Sequence, residues 1–186
     1  LMAGGSTVVS CGNGVRCLES ELAEYGIFLE QEFEEAEREM KIVEYHPRRL
    51  SQGSKKILEV SGDLGYTMAP MPKFIDPSKC RRCGECTLGC KYDAKWTALD
   101  YLAESLENGA EVMYETRVKK VLRKNGRATG IRVSGPGGTR EINAETVILS
   151  AGGIGTPVIL QKSGIEDAGK NLFMDLLVNT YGVSHD

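Results

Sequence analysis

At Gly109 the chain changes its period. Before it, apolar residues recur at helical spacing; after it, short β-prone runs succeed one another through tight turns. In the first half, Leu29, Phe33, Ala36 and Met40 fall on one helical face, while Glu32, Glu34, Glu35, Glu37 and Glu39 occupy the others. That is an amphipathic helix with a solvated acidic side. A second helix is expected after Gly53, with Ile57, Val60 and Leu64 on one face. Residues 66–79, "YTMAPMPKFIDPSK", hold three prolines and no sustained period, and read as an ordered loop or linker. A further helix is expected from about Ala94 to Asn108, with Leu99, Leu102, Ala103 and Leu106 as its core stripe. Gly109 then stands where a left-handed C-cap belongs.

Beyond Gly109 the runs "EVMYET", "VKKVLRK", "ATGIRVS", "TREINA" and "TVILSAGG" have β character. Asn125-Gly126 joins two of them and is the strongest short hairpin signal a sequence offers. "GPGG" at 135–138 is a second tight turn. Val147 to Leu149 is continuously apolar, as expected of a strand buried on both faces. It leads through Ala151-Gly152-Gly153 into a short helix, "TPVILQKSG", with Pro157 in its first turn and Gly164 at its end. Helices, an antiparallel β-meander, then a buried strand feeding a glycine turn make an α/β chain. At 186 residues it suffices for one domain with a substantial core, or a domain carrying an insertion.

Composition narrows the function. A formal net charge of −3 leaves no basic footprint for nucleic acid. No apolar run approaches the roughly 20 residues that span a bilayer, and "LMAGGSTVVS" lacks the basic and apolar regions of a signal peptide. A cytoplasmic location is the resulting expectation. In that setting the six cysteines read as reduced thiols or metal ligands rather than a disulfide framework.

Gly4-Gly5-Ser6-Thr7 is either a structural turn or an anion cradle, since adjacent glycines let main-chain N–H groups approach an anion and the hydroxyls add donors. Gly153-Ile154-Gly155 begins like a dinucleotide fingerprint, but Val158 stands where the third glycine belongs, so the chain holds no such fingerprint. Cys80, Cys83, Cys86 and Cys90 have the C-x2-C-x2-C-x3-C spacing of a cubane iron–sulfur loop. Two features depart from that pattern: Lys91 rather than Pro follows the fourth cysteine, and no second run exists. Zinc, a redox disulfide between Cys83 and Cys86, and packed thiols remain alternatives. Cys11 and Cys17 read as small buried residues. His46, in a basic "HPRR" loop, reads as a surface residue, and with His185 it completes the histidines. No nucleophile–base arrangement is apparent, and this stretch alone is not expected to turn over a substrate.

Taken together, "AGGSTVVSCGNGVR", "CRRCGECTLGCKYDAKWTALDYLAESLENGAEVMYETRVKKVL" and "AETVILSAGGIGTPVILQKSGI" resemble, in order, three segments of the glucose–methanol–choline (GMC) oxidoreductases. The likeness is greatest to branches related to cholesterol oxidase and long-chain alcohol oxidases. It implies a partial FAD-binding domain over 1–186, with a Cys-rich loop at 76–95 and the meander at 110–146. It implies that Gly4, Gly5, Ser6 and Thr7 lie along the FAD pyrophosphate and ribityl chain. The Val118 backbone would face the adenine, and Ala151 and Gly152 would form the turn that passes the cofactor. Ser10 stands where many members carry an Asn beside the isoalloxazine ring, and Asn13 follows three residues later.

The same resemblance places the G-x-G-x-x-G strand before Leu1 and the catalytic histidine after Asp186. It implies a small-molecule alcohol substrate, oxidised by hydride transfer to flavin, with an unassigned electron acceptor. For the four cysteines it implies a packed loop. The rival readings are an iron–sulfur electron-transfer module carrying [4Fe-4S], and a non-enzymatic four-cysteine metal-binding domain.

Overall fold

The structure, a computed structural model, describes residues 2–174 together with 176, 178, 182 and 183. Leu1 and His185 lie outside them. The chain divides into two compact units, Leu1–Glu111 and Val112–Asp186, and is of the expected α/β class, with helices and a three-stranded antiparallel sheet.

In the first unit a 3-10 turn, Gly5–Val9, precedes α1 (Glu19–Glu24), α2 (Glu30–Glu39), α3 (Gln52–Asp63) and α4 (Leu99–Glu107). On α2 the stripe Leu29, Phe33, Ala36 and Met40 is half-buried as its spacing predicts. Glu37 is half-buried with it because Arg16 binds its carboxylate with two parallel hydrogen bonds of 2.7 Å. The same guanidinium lies 5.5 Å above the Phe33 ring.

Helix α3 starts one residue before Gly53, because Ser51 caps it by accepting from the Ser54 N–H at 3.1 Å. Its inward face is Ser54, Leu58 and Ser61, and the expected stripe is exposed: Ile57 58%, Val60 40% and Leu64 68%. The Ser61 hydroxyl settles the rotation: it donates to the Ile57 carbonyl and packs against Met68 Sδ at 2.7 Å. Helix α4 is shorter than expected, starting at Leu99, and of its stripe only Leu102 is half-buried. Gly109 has φ 89° as its capping role requires.

The Pro-rich loop supplies the spine of this unit. Gly14 N–H donates to the Pro72 carbonyl (2.8 Å) and Phe74 N–H to that of Gly12 (3.0 Å), while Lys73 and Val43 exchange two backbone bonds of 2.9 Å. On the other side Asp76 N–H donates to the Ala94 carbonyl (2.6 Å) and Trp96 N–H to that of Phe74 (3.0 Å). Five residues thus stitch together three distant segments without a regular sheet. Ile75 and Ala94, each 4% exposed, form its apolar centre, and Phe74, Trp96 and Tyr101 continue it in successive edge-to-face contacts.

The second unit is the meander. β1 (Arg117–Lys124), β2 (Arg127–Gly135) and β3 (Gly138–Asn143) pair antiparallel in chain order. Asn125 (φ 51°) and Gly126 (φ 80°) are both left-handed, the signature of a two-residue I′ hairpin. Gly130 carries φ 151° beside a register shift at Leu122/Arg123, and a Cβ there would lie 2.1 Å from the Ile142 carbonyl oxygen. Only glycine fits. α5 (Gly152–Lys162) packs on β1, where Ser163 Oγ accepts from Val121 N–H at 2.8 Å. Pro157 is inside α5 rather than in its first turn, because the helix already starts at Gly152.

Two expected strands differ. Residues 111–116 are irregular, and Val147–Leu149 takes no strand partner among the described residues, with Ile148 83% exposed. A strand buried on both faces needs ladder partners and a covering layer on each side, and the described part of this unit supplies neither at that place.

Candidate functional site

Gly4 (φ 81°) and Gly5 (φ 54°) open the 3-10 turn in left-handed conformations that admit glycine readily. A Cβ built on Gly5 meets nothing within 4 Å, so its backbone faces open space; one on Gly4 would strike Val8 Cγ2 at 2.7 Å. Ser6 is exposed. The Thr7 hydroxyl donates to the Gly4 carbonyl and accepts from the Ala98 N–H at 3.0 Å, tying the loop to the start of α4. Ser10 Oγ donates to the Thr7 carbonyl at 3.0 Å and accepts from Gly12 N–H at 3.4 Å. Asn13 accepts from the Lys73 ammonium, which also reaches the Cys11 carbonyl at 3.3 Å. Ser10 and Asn13 therefore shape and anchor the loop, while Gly5 and Ser6 present it.

Sequence reasoning passed over the residue that holds this loop in place. Lys95 is only 4% exposed, and its ammonium donates to the carbonyls of Val8 (2.8 Å), Ser10 (2.7 Å) and Cys86 (2.8 Å). Three acceptors match its three donors, so the buried charge is fully hydrogen-bonded. The signal was a lysine set directly between Ala94 and Trp96.

Lys95 also borders the second feature, a cavity of about 320 Å³ lined by Cys80, Cys83, Cys86 and Cys90. All four thiols are free; Cys83 is exposed and the others are half-buried. Backbone N–H groups point at two of them: Arg82 to Cys80 Sγ and Ala94 to Cys90 Sγ, each at 3.4 Å. Burial pushes the Cys86 thiol up, relieved in part by Lys73 and Lys95. Burial acts on Cys90 in the same direction, but N–H groups of Ala94, Tyr92 and Lys95 outweigh it and leave that thiol below its ordinary value. Among the described residues no three Cys, His, Asp or Glu side chains converge as a single metal ion needs. Cys11 and Cys17, expected to be buried, are exposed, because the loop carrying them follows the surface. His46 is exposed as expected, its Nδ1 accepting from Arg48 N–H at 3.1 Å.

Val118, Ala151 and Gly152 belong to the second unit. Val118 pairs with Val133 across β1 and β2. Ala151 precedes α5, its N–H donating to Thr156 Oγ1 at 3.0 Å, and Gly152 has φ 79°. The glycine turn expected there is present.

Residues 3–177 match the GMC oxidoreductase family. The chain belongs to it. Among the relatives of this family member, an uncharacterized protein of Methanocaldococcus jannaschii is 37% identical over 98% of the chain and 44% of its own length. An uncharacterized GMC-type oxidoreductase of Mycobacterium tuberculosis strain H37Rv is 29% identical over 87% of the chain and 27% of its own length. A cholesterol oxidase of Acinetobacter baumannii is 40% identical over 37% of the chain and 13% of its own length. The GMC chain thus spans less than half the length of these curated relatives. No helix among the described residues is long and apolar enough to cross a membrane.

Proposed function

We propose that the full-length protein is an FAD-dependent oxidoreductase that oxidises a CH–OH group of a small-molecule alcohol, and that Gly4–Thr7 receive the cofactor. The observation that carries this reading is the left-handed Gly5, whose missing Cβ leaves open space beside the main chain. A cradle of that kind suits a phosphate-bearing group, because only there does the backbone come within hydrogen-bonding reach. Bound FAD supplies an acceptor for a hydride from the alcohol carbon.

The chain's own residues prepare the place. Lys95 fixes the carbonyls of Val8 and Ser10, so the loop cannot turn its acceptors toward an anion. Thr7 locks the turn to α4, Ser10 closes it internally, and Asn13 moors its far end on Lys73. Family likeness adds Val118, Ala151 and Gly152 to the cofactor contacts.

The test is Gly5→Val in the full-length protein. The new side chain meets no neighbour, and the strain of a β-branched residue at φ 54°, about 1–3 kcal/mol, stays local, so the circular dichroism spectrum should stay close to wild type, while the purified protein loses most of its flavin absorbance and its alcohol oxidation. Wild-type flavin occupancy in the folded variant would remove Gly5 from the cofactor site.

A further inference from the structure

The cysteine-lined cavity has no part in the flavin reading, yet its construction is specific. Four thiols within an eleven-residue stretch line one space of about 320 Å³. The thiols share the wall with Leu50, Ile75 and Tyr92 but also with Arg49, Arg81 and Arg82, against a single acidic residue, Glu85. Lys73 and Lys95 border it too, their ammonium groups taken up by backbone carbonyls and Asn13. Glu85 is itself paired, its carboxylate 3.3 Å from Lys91. A wall of that charge favours an anionic occupant.

Arg49 sharpens the point. Its Nη2 donates to the Cys80 carbonyl at 3.1 Å, but its Nε is buried with no acceptor among the described residues. A buried donor left alone is uncommon and signals a missing acceptor such as an ion. The N–H groups of Arg82 and Ala94 aimed at Cys80 and Cys90 add stabilisation for sulfur that carries negative charge.

Geometry separates the candidate centres. Four thiolates on one zinc, at Zn–S distances near 2.3 Å, crowd to within about 3.8 Å of one another. The thiols here do not converge in that way. A cubane takes one thiolate at each of four irons, so its sulfur ligands stand apart around a central core. Four thiols that line one cavity, at cubane spacing along the chain, suit that arrangement better than a single ion.

We propose that Cys80, Cys83, Cys86 and Cys90 ligate one [4Fe-4S] cluster in this cavity, its negative charge balanced by the cationic wall. The site lies entirely within the first unit and stands whether or not the flavin reading holds. Thiolate ligation releases the four cysteine protons.

The experiment is iron and acid-labile sulfide analysis of the full-length protein after anaerobic reconstitution with sulfide and equal amounts of ferrous and ferric iron, so that two of each, four sulfides and four thiolates make the oxidised core without a further oxidant, with an electron paramagnetic resonance spectrum of the dithionite-reduced sample. About four irons and four sulfides per chain are expected, with a cluster signal on reduction. Cys83→Ser, the most exposed ligand and so the least costly to replace, should lose most of the iron, and Cys17→Ser should keep it. Less than one iron per chain in folded protein overturns the proposal. So does iron that survives replacement of all four cysteines, or cobalt bound one per chain with the visible bands of a tetrahedral thiolate site. Flavin content, read separately on the same samples, reports on the other proposal alone.

Discussion

In residues 117–143 each strand pairs with the next one along the chain, across turns of two residues. In the first unit the segment 72–76 finds its partners at 12–14, at 43 and at 94–96, from 18 to 62 residues away along the chain. The meander is therefore written locally: Asn125-Gly126 sets the twist of the first hairpin, Pro136 and Gly138 shape the second, and Arg132 faces Glu141 at 2.7 Å across the ladder. The loop unit has no such local code. Isolated bridges and one buried ammonium hold it, and each contact must offset the entropy of a long loop before it stabilises anything. The difference shows how irregular backbone can hold a glycine turn and a cysteine-lined cavity in place: tertiary hydrogen bonds replace the ladder.

The largest break should come at the hub of the loop unit. Lys95→Met keeps the length of the side chain but strands the carbonyls of Val8, Ser10 and Cys86. At about 1–3 kcal/mol for each buried polar group left unpaired, offset by water entry and relaxation, the expected loss is about 4 kcal/mol. Urea unfolding followed by the single Trp96, one residue away, reads it directly. A loss below about 1 kcal/mol would mean that the bridges alone hold the unit.

A smaller effect is expected in the meander from Gly130→Ala. The new Cβ falls 2.1 Å from the Ile142 carbonyl oxygen at φ 151°, so strand and partner must separate locally. About 3 kcal/mol is the expected cost, of the order measured for overpacking combined with backbone strain. Hydrogen exchange of the β2 and β3 amides should speed up most. Unchanged protection there would show that the ladder bends to admit the methyl group.

The smallest effect concerns the pairing of Arg16 with Glu37, which ties the segment after the glycine loop to α2. The hydrogen bonds from Arg16 hold the Glu37 carboxyl below its ordinary value of 4.5, while Arg16 stays charged throughout. A lowered folded value means that the stabilisation is fully present above pH 4.5 and is lost as pH falls through that lowered value. Both side chains are partly exposed, so the effect is modest. Comparing melting temperatures at pH 6 and pH 3 for wild type and Glu37→Gln should show a slightly smaller acid shift in the variant. Identical shifts would assign the pair no role in folding.

What could be read without coordinates followed the reach of each signal. The stripe of α2, the Asn125-Gly126 turn, the Gly109 cap and the glycine turns at Gly4-Gly5 and Gly152 all depend on residues within a turn or two of each other, and they stand as expected. The family was legible too, because three motifs in order are a linear property. The rotation of α3, the exposure of Ile148 and the joining of the glycine loop to the cysteine cavity through Lys95 were not, since each depends on which distant backbone stands opposite. Composition and spacing determined that this chain would be α/β, would present a glycine turn and would hold four thiols at cluster spacing. Only the tertiary structure decided that those thiols share one cationic cavity and that a buried lysine joins it to the turn. Hydrogen bonds between residues far apart in sequence leave no period to read, because either partner is an ordinary loop residue until the fold sets them face to face.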